Sequence, residues 1–168
     1  SARVRGVELA YRRAGSGPDL VWGHGLTSSM ASEDELGIVD WSPIERLATV
    51  LRYDARGRGA SGSTADLDGY HWRSLALDQL ALADHLGIDR YISAGASMGA
   101  ATSLHVAVLA PERIAGLLLM IPPTAWAGRA AQAGSYCTSA DLLERGDMDT
   151  LLAGLSQRPT PDPFATDP

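Results

Sequence analysis

The chain has 168 residues, 45% of them apolar and 20% charged, a composition that allows one globular domain with a real core and excludes a disordered segment. Fourteen basic against twenty acidic side chains leave a net charge of −6 and a pI near 5.1, which argues against a nucleic-acid binder, since that needs concentrated positive charge. A lone cysteine, Cys137, rules out an intrachain disulfide and most zinc sites.

The longest apolar stretch, 114–123, is too short to cross a bilayer, and Ser-Ala-Arg-Val-Arg at the start holds no apolar targeting core. The expectation is a soluble cytoplasmic protein that acts on a small molecule, without metal or organic cofactor and without a nucleic-acid or membrane partner. The first residue is Ser rather than Met, so a segment is expected ahead of it.

Residues 4–13 read as a hairpin turning at Arg5-Gly6, and 19–22 as a short buried strand that runs into Gly23-His24-Gly25. Ser42-Pro43-Ile44-Glu45 carries a helix-start signature, with Ser as cap, Pro in the first position and Glu three residues on. The short helix leads into a strand over 50–53, and 56–63 is a Gly/Ser loop. Over 74–86, Leu75, Gln79, Leu80, Ala83 and Leu86 fall near one helical face, and Gly87 suits the left-handed end. A strand over 90–95, a helix over 98–110 stopped by Pro111 and a strand over 114–121 follow. Strands alternating with helices predict an α/β fold, a mostly parallel sheet with flanking helices. From residue 127 the character changes. Two short helices are expected over 140–145 and 148–155, around Gly146, and four prolines fall in the last ten residues.

The chemistry sits at Gly95-Ala96-Ser97-Met98-Gly99, a G-x-S-x-G motif with a strand directly before it and an Ala-rich helix directly after. A turn sharp enough to lift a serine hydroxyl above a sheet edge strains the serine backbone. It also brings a crossing strand and helix so close that side chains two positions either side would collide, hence Gly95 and Gly99. The Met98 amide then lies at a helix N-terminus, where an oxyanion would form. The alternative is a structural turn with an inert serine. In Gly23-His24-Gly25-Leu26-Thr27, the Leu26 amide is the candidate second oxyanion donor, Gly25 permits close backbone approach, and His24 reads as a loop brace in preference to a base. In the third segment, 52–62, Asp54 is expected to accept loop amides and Arg56 to brace them, both structurally.

These three segments, in this order and spacing, resemble the α/β-hydrolase superfamily. His24-Gly25 is similar to its oxyanion-loop motif, Tyr53-Asp54-x-Arg56-Gly57-x-Gly59-x-Ser61 to its loop after the fourth strand, and 95–99 to its nucleophile elbow after the fifth. The resemblance implies an α/β-hydrolase core over 1–126, comprising the family's first six strands, and a partial helical lid over 127–168. It implies Ser97 as nucleophile, the Leu26 and Met98 amides as oxyanion hole, and acyl transfer to water from an ester, lactone, thioester or activated C–C bond.

The family places its acid after a later strand and its His after the last one. Here the only histidine beyond Ser97 is His105, inside the following helix; His71 and His85 precede the serine. All three read as structural. Asp141, Glu144, Asp147 and Asp149 read as a solvated face, Trp126 and Tyr136 as pocket lining or packing, and Cys137 as buried filler. The nearly unbroken apolar run at 116–121 belongs to a strand covered on both faces, and nothing in the sequence follows to cover it. The expectation is therefore an N-terminal portion of a serine hydrolase, inactive or nearly so by itself, whose acid and His lie elsewhere. The rival is a ligand-binding hydrolase fold that has lost its chemistry.

Overall fold

The computed structural model describes residues 1–123 and 126–157. The chain divides into two compact units, Ser1–Pro123 and Thr124–Pro168.

In the first unit, Arg5 and Gly6 take φ of 46° and 82°, the two left-handed residues of a tight hairpin turn. They join β1 (Ala2–Val4) to β2 (Val7–Leu9). The hairpin is shorter than the expected 4–13, because the backbone of Ala10 is taken elsewhere: its N–H donates to Ser61 Oγ at 2.9 Å and its carbonyl accepts from Asp54 at 2.9 Å. β3 (Tyr11–Gly15) instead joins the main sheet, antiparallel to β5 (Thr49–Tyr53). The remaining strands, β4 (Asp19–Gly23), β6 (Tyr91–Ala96) and β7 (Ile114–Met120), are parallel to β5, and the order is β3-β5-β4-β6-β7.

Alternation along the strands divides two cores. Val21, Leu51, Tyr53 and Tyr91 face one side, with Leu75, Leu82, Met98 and Val106. Leu20, Trp22, Val50 and Ala94 face the other, with Trp41. The first core takes in α3 (Trp72–His85) and α4 (Met98–Leu109). α3 starts two residues before the expected 74 and ends at Gly87 with φ 67°. α2 (Trp41–Glu45) is capped by Asp40, not by Ser42; the Asp40 carboxylate accepts the Ser42 amide at 3.0 Å. Pro43 is tolerated as the third helical residue because that N–H has no intrahelical acceptor anyway. α1 (Met30–Leu36), unread in the sequence, is closed by a reciprocal Ser29–Ser32 cap.

β7 is an edge strand. Leu117, Leu118 and Met120 are 42%, 45% and 39% exposed, where the sequence suggested cover on both faces, because no strand pairs with its outer side among the described residues.

The second unit holds α5 (Trp126–Glu144) and α6 (Met148–Ser156), joined through Gly146 at φ 73°. α5 is 19 residues long, not a short helix over 140–145. Its Ser and Thr hydroxyls bond back along the helix: Thr138 Oγ1 donates to the Gly134 carbonyl and Ser139 Oγ to that of Ser135. The proline-rich tail expected at 159–168 lies outside the described residues, as does the Trp126 side chain. No helix among the described residues is long and apolar enough to cross a membrane.

Candidate active site

Ser97 joins β6 to α4 with φ 49° and ψ −104°, a backbone that costs a non-glycine residue about 1–3 kcal/mol. Neighbours hold it there. The Ser97 amide donates to the Met120 carbonyl at 2.9 Å, its carbonyl opens the helix by accepting from Ala101 at 3.0 Å, and Gly99 donates to the His24 carbonyl at 3.0 Å. The glycines answer a backbone-to-backbone crossing of β4 and α4. A Cβ on Gly95 would stand 2.7 Å from the Gly23 carbonyl oxygen, and one on Gly99 would overlap that carbonyl group. Gly23 is the third member: its own Cβ would lie 3.0 Å from Gly99 Cα. Ser97 is half-buried, neither packed away from solvent nor relaxed into helical torsions. The Met98 amide is the first of α4 and has no hydrogen-bond partner among the described residues, the open end at which a helix attracts an anion.

His24 is fully buried between two loops. The Ala55 amide donates to its Nε2 at 3.0 Å, so the proton resides on Nδ1, which donates to the Gly25 carbonyl at 2.7 Å. Both ring nitrogens are committed, which leaves no lone pair to take a proton from Ser97. The Asp54 carboxylate, 4.0 Å from Nε2, accepts the Met30 and Ala60 amides at 2.7 and 2.9 Å. Arg56, expected to brace loop amides, instead pairs with buried Asp78, whose hydrogen bond holds the guanidinium above its ordinary pKa. The Leu26 amide, in a turn closed by Ser28 N–H on the Gly25 carbonyl at 3.2 Å, has no partner among the described residues.

The other histidines are not brought to Ser97. His71 precedes α3 and lies 3.2 Å from Asp68; His85 is exposed in the last turn of α3; His105 is half-buried, two turns along α4. No hydrogen bond to the Ser97 hydroxyl occurs among the described residues. Asp141, Glu144, Asp147 and Asp149 are exposed, and Asp147 caps α6 through the Thr150 amide. Cys137 is exposed, not buried filler. Tyr136, also exposed, stacks under the Arg129 guanidinium. No group of three His, Cys, Asp or Glu able to hold a metal occurs among the described residues.

The sequence missed the part of Gly23 and the anchoring of Arg56 on Asp78. The only signal for the latter was a carboxylate within the buried stretch of a predicted helix.

The model of the alpha/beta hydrolase fold family matches residues 24–143. The chain belongs to this family. Among α/β-hydrolase relatives, it is 34% identical over 133 residues to N-formylmaleamate deformylase of Pseudomonas putida, covering 76% of this chain and 46% of that protein. A hydrolase from Pseudomonas aeruginosa superposes with a TM-score of 0.75 at 33% identity, over 92% of this chain and 56% of the other. Est816, an N-acyl homoserine lactone degrading enzyme, gives 0.65 at 26% identity, over 84% and 55%. The chain thus spans about half the length of the α/β-hydrolases it matches, all three of which are described as hydrolytic or degradative enzymes.

Proposed function

We propose that this chain carries the nucleophile and oxyanion hole of a serine hydrolase for small-molecule esters, lactones or thioesters. Ser97 Oγ attacks the substrate carbonyl carbon. Its proton passes to a histidine, oriented by an acid, neither of which is among these 168 residues. The carbonyl oxygen becomes an oxyanion and accepts from the Leu26 and Met98 amides. Collapse breaks the bond to the leaving group, which departs with the proton, and water then releases the acyl group from Ser97. The α5–α6 helices are read as the beginning of a lid segment.

The observation that carries the reading is the strained Ser97 backbone at a helix start whose first amide is unpartnered. The deformylase and lactone-degrading relatives support the reaction class. A second reading, a ligand-binding member without catalysis, is favoured by the absence, among the described residues, of a histidine free to reach Ser97. A fluorophosphonate probe separates them. The full-length protein labels at Ser97, and Ser97→Ala abolishes labelling. A folded full-length protein that does not label belongs to the second reading. The 168-residue chain by itself turns over p-nitrophenyl esters little or not at all; substantial turnover lost in Ser97→Ala would mean that the base is within it.

A further inference from the structure

Three successive carbonyls in the loop after β4 are each held, two of them by distant parts of the chain. The His24 carbonyl accepts from the Gly99 amide at 3.0 Å, the Gly25 carbonyl from the His24 ring at 2.7 Å, and the Leu26 carbonyl from Arg58 Nε at 2.7 Å. A trans peptide is planar, with its C=O and N–H pointing in opposite directions. Restraining the Gly25 oxygen therefore restrains the direction of the Leu26 N–H from one side only, and fixing the Leu26 oxygen stops the plane from swinging about the next residue.

Arg58 is itself rigidly placed. Its Nη1 donates to the Gly57 carbonyl at 2.9 Å and its amide to the Ala55 carbonyl at 3.0 Å. The Ala55 amide is the one that binds His24. Arg58 forms no ion pair with a carboxylate among the described residues. Its Nε and Nη1 both donate to carbonyls, a use that the rigid guanidinium suits and an ammonium does not.

We propose that Arg58 is a positioning residue that holds the Leu26 amide in the orientation an oxyanion requires. The inference rests on the reading of Leu26 as an oxyanion donor, but its geometric part is tested separately from that reading.

Amide relaxation of the full chain measures it. In the native protein the Leu26 amide has an order parameter of about 0.85, as rigid backbone does; in Arg58→Ala, with only the Gly25 oxygen still held, it falls clearly below that, while the Gly95 and Gly99 amides keep theirs. Arg58→Lys keeps the charge and loses the fork, so it leaves Leu26 mobile too, and it serves if the Ala variant does not fold. An ordered Leu26 amide in either folded variant overturns the proposal. In the full-length protein, Arg58→Ala slows fluorophosphonate labelling of Ser97 about tenfold or more without weakening substrate binding, a split that general destabilisation does not produce. A mobile Leu26 with labelling unchanged would overturn the oxyanion role of Leu26 and leave the positioning by Arg58 standing. Absence of labelling in the native protein would overturn the serine-hydrolase reading alone.

Discussion

The Gly99 amide donates to the His24 carbonyl at 3.0 Å, and this one bond ties the helix that starts at Ser97 to the loop that carries Leu26. Two segments more than seventy residues apart become one site because β4 and β6 are paired neighbours, with Gly23 opposite Gly95. Glycines at 23, 95 and 99 let the two backbones meet.

That crossing predicts a contrast between glycines. Gly99→Ala places a methyl within the Gly23 carbonyl group, where only backbone could yield, and costs at least about 3 kcal/mol or prevents folding. Gly134→Ala, in the exposed interior of α5 with nothing near its Cβ, stabilises by about 0.5–1 kcal/mol. Urea denaturation of the two variants checks both signs.

Asp78 and Arg56 form a buried two-bond ion pair under the loop after β5, and Arg5 adds a third contact from the more exposed side at 2.8 Å. Asp78→Ala strands a buried guanidinium and costs about 3–5 kcal/mol. Arg5→Ala, whose side chain is half-exposed, leaves Asp78 still paired to Arg56 and costs about 1 kcal/mol. Thermal melts of the single variants, and a double-mutant cycle on positions 56 and 78, measure the difference.

Removing the His24 ring leaves the Ala55 amide buried without an acceptor. His24→Leu is therefore destabilised by about 1–3 kcal/mol. Fast hydrogen exchange at Ala55, with protection retained along β6, shows that the loss is local.

Two buried tyrosines set a stability limit at high pH. Burial pushes the Tyr91 phenol up to about 12 and raises that of Tyr53 further. In the unfolded chain both release their protons near pH 10, so above that pH the native state binds more protons than the unfolded one. Their stabilising contribution is complete below pH 10 and declines above it; the Tyr91 share is lost as pH rises through about 12, and that of Tyr53 at still higher pH. Denaturation midpoints fall over that interval, and Tyr91→Phe makes the fall shallower.

By itself the sequence determined what depends on neighbours along the chain. The strand running into Gly95-Ala96-Ser97-Met98-Gly99 and the helix leaving it, the left-handed turn at Arg5-Gly6 and the helix end at Gly87 are local, because period and turn chemistry act over a few residues. Local rules also misled: Ser42 looked like a cap until Asp40 proved nearer the start, and α5 runs over 19 residues where a short helix over 140–145 was expected. Only the tertiary structure decided that His24 is a brace, because the amide that commits its Nε2 arrives from residue 55, in the loop after β5. It alone showed Gly23 beneath Gly99, Arg56 on Asp78 and Arg58 on the Leu26 carbonyl. Each joins groups twenty or more residues apart, and no periodicity in a chain encodes which distant donors a folded sheet brings to one acceptor.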